Sequence, residues 1–296
     1  MIFPQTDIGS DPAVIRAWAA AVEELGYRHV LAYDHVLGAD PPQHPGWSGP
    51  YDVDSAFHEP FVLYGYLAAI TELELVTGVI ILPQRQTALV AKQAAQVDLL
   101  TSGRFRLGIG LGWNAVEYEA LGKDFTDRGR RVAEQVALLR RLWTEKAVTF
   151  RGRSETVTAA GLLPLPVQRP IPIWFGVGSA PRALRRVGRL ADGWFPHGRP
   201  GPRLDEAVAV VHKAAEDAGR DPATLGMEGR VGLTRGVDDA VERIGAWRAV
   251  GATHLSVSTM DIGLVGVDGH IAALAEVAGA IGSTASRCTS CPACRC

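Results

Sequence analysis

No cysteine precedes position 288 in this chain of 296 residues. The four cysteines stand together in the closing segment CTSCPACRC, at Cys288, Cys291, Cys294 and Cys296. A disulfide within the body of the fold is therefore excluded. Paired C-x-x-C spacing can bind zinc, but strong zinc motifs separate two such pairs by a longer loop. We expect no metal site and interpret residues 282–296 as a flexible Cys-rich C-terminal tail.

The chain also lacks a charge excess and a long apolar run. Its 30 Lys and Arg and 32 Asp and Glu give a formal net charge of −2, and both signs are mixed along the sequence. Nucleic-acid binding is not expected from such a balance. No apolar run reaches the roughly 18 to 20 residues that span a bilayer, and Met1 leads into IFPQT without a signal-peptide pattern. We expect a cytoplasmic protein that binds no membrane.

Apolar residues make up 47% of the chain, enough for one α/β barrel or two smaller domains. Strand and helix patterns alternate, and no linker marks a second domain. The predicted strands are Met1–Gln5, Arg28–Tyr33, Leu73–Leu82, Arg104–Gly110, Pro172–Gly176, Gly193–Pro196, Met227–Gly232 and Thr253–Val257. Eight strands with intervening helices, the last of them Asp268–Ile281, predict a single-domain (β/α)8 TIM barrel over residues 1–281 with loop insertions.

The most informative stretch, Leu73 to Gly122, contains two apolar strands with a helix between them. Such a βαβ unit belongs to a parallel sheet, because strands covered on both faces need no polar alternation. The second strand ends in the glycines of GIGLG, followed by Trp113, Asn114 and Glu117. Bare backbone thus lies beside an aromatic ring and two polar groups at the carboxyl end of a strand, where a flat ligand is expected. Asn and Glu also favour helix starts for local reasons.

Candidate catalytic groups follow other predicted strands. Asp34 and His35 come after the second strand, and in a barrel that position turns them toward the mouth. A histidine there can move a proton near neutral pH, and a neighbouring carboxylate favours its charged form, although a structural role is also common. Arg85 follows the third strand and is expected either to bind an anionic ligand or to pair with a loop carboxylate.

The fifth strand leads into the sequence GVGSAPRALRR, with Gly176, Gly178 and Ser179 before a basic helix. Exposed backbone amides and the positive end of a helix dipole can bind a phosphate, and Ser179 is expected to cap the helix. The Rossmann fingerprint, the Walker lysine and the G-x-S-x-G elbow are all absent. The pattern therefore predicts a site for the phosphate of a cofactor side chain.

Two connections exceed ordinary loop length. The segment Leu37–Glu59 is rich in Pro, Gly and aromatic residues and follows the second strand, so it is expected on the catalytic side as a lid. The segment Val148–Val167 carries the strand-like TFRGRSETVT before a proline-rich run. It is expected either to shape the pocket or to be a structural excursion without ligand contact.

Taken in order, several segments resemble the luciferase-like monooxygenase superfamily, and within it the F420-dependent oxidoreductases. They are LGYRHVLAYDHVLG, FHEPFVLYGYLAAIT, LVTGVIILPQRQTALVAKQAAQVDLLTSGRFRLGIGLGWNAVEYEALG, DFTDRGRRVAEQVALLRRLW and PLPVQRPIPIWFGVGSAPRALRRVGRLADGWFP. The resemblance implies a barrel that binds a flavin or deazaflavin at its carboxyl face. It places the phosphate on the GVGS turn and the ring against a bulge in the third strand, where a non-prolyl cis peptide would fall at Gly78–Val79.

The same resemblance assigns roles to individual residues. His35 becomes the best candidate for a protonating or substrate-orienting group, with Asp34 and Glu117 completing the catalytic set. The implied cofactor-binding residues are Gly78, Val79, Gly110, Leu111, Asn114, Gly176, Gly178 and Ser179. The cofactor is expected to be coenzyme F420, with FMN as the alternative.

The leading functional hypothesis is hydride transfer between F420 and a small organic substrate. One alternative is an FMN-dependent monooxygenase that receives reduced flavin from a partner reductase and uses O2. Another is a non-catalytic flavin-binding protein. A barrel aldolase would need a lysine at a strand end, and Lys92 is predicted on a helix. Members of the family often form homodimers, and no motif in this chain decides its own oligomeric state.

Overall fold

A computed structural model describes residues 1–289, with side chains through residue 282. The last helix, Gly266–Thr289, continues past the end predicted at Ile281. No proline interrupts the sequence between these two points, so nothing there forces the helix to stop. The end predicted for this helix is therefore too early, whereas the flexible Cys-rich tail stays a prediction. Its remaining part, residues 290–296, lies outside the described residues.

Helices and strands alternate as predicted from the sequence. The helices are α1 Pro12–Glu24, α2 Pro60–Leu67, α3 Thr87–Leu100, α4 Ala115–Ala120, α5 Arg128–Thr144, α6 Pro181–Leu190, α7 Pro202–Glu216, α8 Gly236–Ala249 and α9 Gly266–Thr289. The strands are β1 His29–Ala32, β2 Glu74–Thr77, β3 Ile80–Ile81, β4 Phe105–Gly110, β5 Val148–Arg151, β6 Thr156–Ala160, β7 Ile173–Val177, β8 Gly193–Pro196, β9 Gly226–Gly232 and β10 His254–Ser258. No helix within residues 1–289 is both long and apolar enough to cross a bilayer.

The main sheet is parallel and runs in the order β1-β2-β4-β7-β8-β9-β10, with β3 beside β4. The amino-terminal segment fills the gap between β10 and β1, because the backbone N–H of Ile2 donates to Val257 at 2.9 Å and that of Phe3 donates to Leu31 at 2.8 Å. It makes a single bridge instead of the predicted strand Met1–Gln5. Pro4 has no N–H with which to extend the ladder. The predicted (β/α)8 TIM barrel is confirmed.

The third barrel strand is interrupted where a continuous strand, Leu73–Leu82, was expected. A cis peptide joins Gly78 to Val79, at the position implied by the family resemblance, and separates β2 from β3. The N–H of Gly78 donates to Ala32 at 2.8 Å, which holds this bulge against β1. A Cβ atom at Gly78 would lie 2.1 Å from Cδ2 of Leu31, so only glycine fits.

The amino-terminal end of the barrel is closed by a buried layer of charged side chains. Arg106 contacts Glu228 at 2.8 Å and Glu74 at 3.0 Å, and its guanidinium lies 4.3 Å from the ring centroid of Trp174. His29 contacts the same Glu228 at 3.0 Å. This packed layer leaves the carboxyl end of the strands as the open end of the barrel.

The segment Val148–Val167 forms a hairpin outside the barrel. Strands β5 and β6 pair antiparallel, and none of this segment lines the cavity at the carboxyl ends of the barrel strands. Of its two expected roles, the structural excursion agrees with the structure.

Candidate active site

A cavity of about 460 Å³ opens at the carboxyl ends of the barrel strands. The glycine turn after β4 and the glycine turn after β7 both line it, as the predicted binding of one ring and its phosphorylated side chain requires. The lining residues are Tyr33, Asp34, His35, Pro50, Tyr51, Phe57, Gly78, Val79, Ile81, Gly110, Leu111, Gly112, Trp113, Gly176, Val177, Gly178, Ala183, Phe195, His197 and Arg230.

His35 is held from behind by Glu117. Its Nδ1 lies 2.5 Å from Oε1 of Glu117, and the two side chains are only 6% and 3% exposed. Its Nε2 is buried and has no hydrogen-bond partner among the described residues. Since a carboxylate accepts a hydrogen bond, Nδ1 is the donor toward Glu117, and Nε2 is the ring nitrogen left without a partner among the described residues.

The Glu117 carboxylate is saturated by donors. Its Oε1 also accepts from the backbone N–H groups of Val36 at 2.7 Å and Leu37 at 3.2 Å, and its Oε2 accepts from the Gln84 amide at 3.0 Å. Burial opposes ionisation, but the hydrogen bonds from His35, Gln84 and Leu37 outweigh it and lower the pKa of Glu117. The lowered pKa favours the ionised form of Glu117, whose position fixes the imidazole.

Asp34 has a different partner from the one that sequence reasoning suggested. Its carboxylate pairs with Arg85 at 2.8 Å and accepts from the N–H of Ile81 at 3.2 Å, so the acid beside His35 is Glu117. Burial raises the pKa of Asp34, against the opposing charge of Arg85. Arg85 also pairs with Glu59 at 3.2 Å, which agrees with the loop-carboxylate alternative for this arginine.

Asn114 is engaged by the backbone. Its Oδ1 accepts from the N–H of Val116 at 3.0 Å at the start of α4, and its Nδ2 donates to the carbonyl of Leu37 at 3.0 Å. Asn114 and Glu117 do not line the cavity, whereas both were expected to face it. The local preference of Asn for helix starts describes the geometry of Asn114, and a contact of Asn114 with a cofactor stays a prediction.

Three aromatic rings lie around the imidazole of His35. The ring centroids of Phe57, Trp113 and Tyr51 lie 5.2, 5.8 and 5.9 Å from the imidazole centroid. Phe57 and Tyr51 come from the segment Leu37–Glu59. Its aromatic content and its place after the second strand predicted that this segment lies on the catalytic side. Trp113 is 44% exposed and forms part of the wall.

The floor of the cavity is built around Val79. A Cβ at Gly110 would lie 2.5 Å from one methyl carbon of Val79, and a Cβ at Gly176 would lie 2.9 Å from the other. Because neither glycine has a Cβ atom, the side chain of Val79 can pack between the two strands. Gly178 differs, because a Cβ there would meet nothing within 4 Å. Its backbone faces open space, as a ligand-binding turn requires.

A second, basic groove of about 760 Å³ adjoins the cavity and shares Leu111 and Ala183 with it. Among the residues that the structure describes, no carboxylate lines this groove. The arginines that line it are Arg128, Arg130, Arg182, Arg186 and Arg189. Burial, together with Arg189 and Arg182, lowers the pKa of Arg186. An anion bound in the groove would reduce the electrostatic repulsion among these arginines.

Ser179 lies outside the main cavity. It lines a neighbouring cavity of about 590 Å³ that shares Gly178 and His197 with the main one. Ala180, rather than Ser179, occupies the cap position of α6. Sequence reasoning also missed His197, although it directly follows β8 at the same end of the barrel.

The sequence profile of the luciferase-like monooxygenase family matches residues 2–284. The chain belongs to this family. Membership places it among oxidoreductases. An uncharacterized protein of Mycobacterium tuberculosis is 36% identical over 208 residues, which cover 68% of this chain and 71% of that protein. The F420-dependent hydroxymycolic acid dehydrogenase of Mycobacterium tuberculosis is 30% identical over 241 residues, which cover 78% of this chain and 62% of that protein.

A solved structure repeats the luciferase-like fold. It is an F420-dependent secondary alcohol dehydrogenase in complex with an F420-acetone adduct, with a TM-score of 0.75 and 18% identity. The match covers 94% of this chain and 99% of that chain. At this identity the likeness shows the shared luciferase-like barrel.

Proposed function

We propose that this luciferase-like enzyme is an F420-dependent oxidoreductase that exchanges a hydride between coenzyme F420 and a small organic substrate. The observation that carries the proposal is one cavity lined by two glycine turns and by His35, whose free Nε2 has no partner among the described residues. The relative and the solved structure that are named as F420-dependent support the same cofactor.

The residues present fit this cofactor in two respects. The low floor at Val79, between Gly110 and Gly176, suits a flat ring, and Gly178 leaves room for an approaching side chain. The groove with five arginines and no carboxylate suits the phosphate and carboxylate groups on the side chain of F420. When bound, F420 supplies a deazaflavin ring that exchanges a hydride with a substrate carbon.

The protein's own groups handle the proton and the surroundings. Nε2 of His35 accepts the hydroxyl proton of an alcohol substrate, or returns it to a carbonyl oxygen in the reverse direction. Glu117 stabilises the imidazolium that forms, because it stays ionised beside Nδ1. Tyr51, Phe57 and Trp113 keep water away from this proton transfer.

A second candidate is an FMN-dependent monooxygenase that uses O2 and a partner reductase, and the description of the matching family favours it. FMN carries a single phosphate, so five arginines in one groove favour the more highly charged F420. The imidazole fixed by a buried carboxylate argues against a non-catalytic flavin-binding protein, because binding alone does not need a positioned proton acceptor. A homodimer stays a prediction of the family resemblance.

The decisive experiment titrates the purified protein with F420 and with FMN, each oxidised and reduced, under anaerobic conditions. Binding is followed by the fluorescence of each cofactor. We expect the dissociation constant for F420 to be lower than that for FMN by about tenfold or more, which corresponds to about 1.4 kcal/mol. A submicromolar preference for FMN would overturn the assignment of the cofactor.

The role of His35 is tested separately with His35→Ala. Loss of the proton acceptor should reduce turnover by about a hundredfold or more while F420 binding is retained. His212→Ala, on the exposed surface of α7, is the matched control. Full turnover in His35→Ala with F420 bound would remove the proposed proton transfer from the mechanism.

A further inference from the structure

Within the described part of the chain, one cation in the wall of the active-site cavity has no carboxylate partner. Arg230 lies on β9 and lines the cavity. No carboxylate oxygen of the described residues lies within 4.0 Å of its guanidinium nitrogen atoms. Arg106, deeper in the barrel interior, instead contacts two carboxylates within 3.0 Å.

The strand register aims Arg230 into the mouth of the barrel. Side chains two residues apart on a strand share a face, and Glu228 points into the interior, where it contacts His29 and Arg106. Arg230 therefore also points inward, one layer closer to the carboxyl end, where barrel enzymes bind their substrates.

Arg230 lines the same cavity as His35 and Tyr51. Burial raises the pKa of Tyr51 to about 12; the charge of Arg230 acts in the opposite direction. The ring of Tyr51 also lies 5.9 Å from that of His35. Asp7 and Asp261 act on Tyr51 as well, but neither lines the cavity.

The two carboxylates next to His35, in sequence and in space, have partners other than Arg230. Asp34 pairs with Arg85 at 2.8 Å, and Glu117 is bound to the imidazole of His35. An uncompensated guanidinium in a narrow cleft attracts an anion, because the low dielectric strengthens the interaction. Its planar donors match a carboxylate with two hydrogen bonds.

We propose that Arg230 binds a carboxylate of the substrate, so that the enzyme acts on small hydroxy acids or oxo acids. This inference rests on the proposed function, because it takes His35 as the group beside the reacting carbon. In the oxidising direction the hydroxyl proton passes to Nε2 of His35 and the hydride of the same carbon passes to F420. The hydroxy acid becomes an oxo acid, and F420 is reduced.

The test measures binding of simple probes to the F420-loaded protein by calorimetry. The probes are acetate, propionate, butyrate and hexanoate, each compared with the matching primary amide. The variants are Arg230→Met, Arg230→Lys and the control Arg235→Gln, which changes an exposed arginine just before α8. Thermal unfolding and the dissociation constant for F420 verify that each variant is folded.

We expect the wild type to bind at least one carboxylate about tenfold or more tightly than its amide. Arg230→Met should lose this preference, Arg230→Lys should keep part of it, and Arg235→Gln should keep all of it. If Arg230→Met does not fold, a preference in Arg230→Lys equal to that of the wild type overturns the proposal, and a reduced one supports it.

Two results overturn the inference. One is the absence of a carboxylate preference in the wild type, and the other is a preference that survives in Arg230→Met. A loss of F420 affinity in Arg230→Met with an unchanged preference assigns the arginine to the cofactor instead. If FMN binds and F420 does not, the same comparison on the FMN-loaded protein decides the role of Arg230, while the proposed cofactor fails.

Discussion

Nδ1 of His35 lies 2.5 Å from Oε1 of Glu117, whereas Nε2 of the same ring is buried and has no hydrogen-bond partner among the described residues. The buried carboxylate thus fixes Nδ1, and Nε2 is the nitrogen proposed to accept a proton from the substrate. Glu117 does not reach the cavity, so it acts as a positioning residue for His35.

Glu117→Gln should therefore impair catalysis without removing the cofactor. Protonated His35 loses its negative partner, so turnover should fall by about tenfold or more and the pH profile of the rate should shift toward acid. The affinity for F420 should stay within about twofold. Turnover is measured with any alcohol or carbonyl compound that the wild type accepts.

Nitrogen NMR of the imidazole gives a second readout that needs no substrate. The wild type should show the Nδ1-protonated tautomer of His35, and Glu117→Gln should show a mixture of tautomers. Glu119→Gln, an exposed position on the same helix, is the control. An unchanged pH profile and an unchanged tautomer in Glu117→Gln would reduce Glu117 to a purely structural role.

The basic groove predicts a salt-dependent contribution to cofactor affinity. In Arg182→Gln and Arg189→Gln, the dissociation constant for F420 should rise by about tenfold for each arginine removed, and the effect should shrink at high salt. Riboflavin, which carries no anionic group, should bind these variants and the wild type equally.

Arg185→Gln is the matched control for the groove. Arg185 is exposed on the same helix but does not line the groove, so its loss should change F420 affinity by less than about twofold. Equal effects of Arg182→Gln and Arg185→Gln would mean that the overall charge of α6, rather than the groove, attracts the cofactor.

The same substitution at Gly178 and at Gly110 should differ in its effect on stability. A Cβ at Gly178 meets nothing within 4 Å, so Gly178→Ala should change the free energy of unfolding by less than about 0.5 kcal/mol and still weaken F420 binding. A Cβ at Gly110 lies 2.5 Å from Val79, so Gly110→Ala should lower stability as well. Denaturant unfolding measures the stability of each variant, and F420 titration measures its affinity for the cofactor. Undiminished F420 affinity in Gly178→Ala would place the cofactor away from this turn.

The sequence predicted the barrel because the relevant signals are local. Apolar strands, helical periodicity and the glycines of GIGLG and GVGS each occupy short segments, and seven of the eight predicted strands recur as barrel strands, one of them divided at Gly78–Val79. The resemblance to a known family added the site of that cis peptide, which no local pattern specifies.

The partners within the site were less accessible to sequence reasoning. His35 and Glu117 are far apart in the chain, and their contact depends on how α4 packs under the turn after β1. Asp34 is the nearer acid in sequence, yet it is turned toward Arg85. Arg230 lies in the middle of β9, and its inward direction follows only from the register of the closed barrel.

The charged layer at the amino-terminal end of the barrel predicts a loss of stability in mild acid. Burial is the main cause that lowers the pKa of His29 from 6.5 to about 4. The unfolded chain keeps an ordinary histidine, so between these two pH values it binds a proton that the folded chain does not. The contribution of His29 is complete above pH 6.5 and is lost as the pH falls toward 4, by roughly 3 kcal/mol.

Urea unfolding across this pH window, with and without His29→Asn, measures the effect. The variant should be less stable than the wild type at neutral pH, because Glu228 and Ser256 lose contacts at 3.0 and 2.9 Å. Its stability should nevertheless fall less steeply in acid, since the residue that takes up the proton is gone. His212→Asn, on the exposed surface of α7, should keep the slope of the wild type. If His29→Asn keeps that slope too, the acid sensitivity must come from other groups, such as His254, whose pKa burial also lowers.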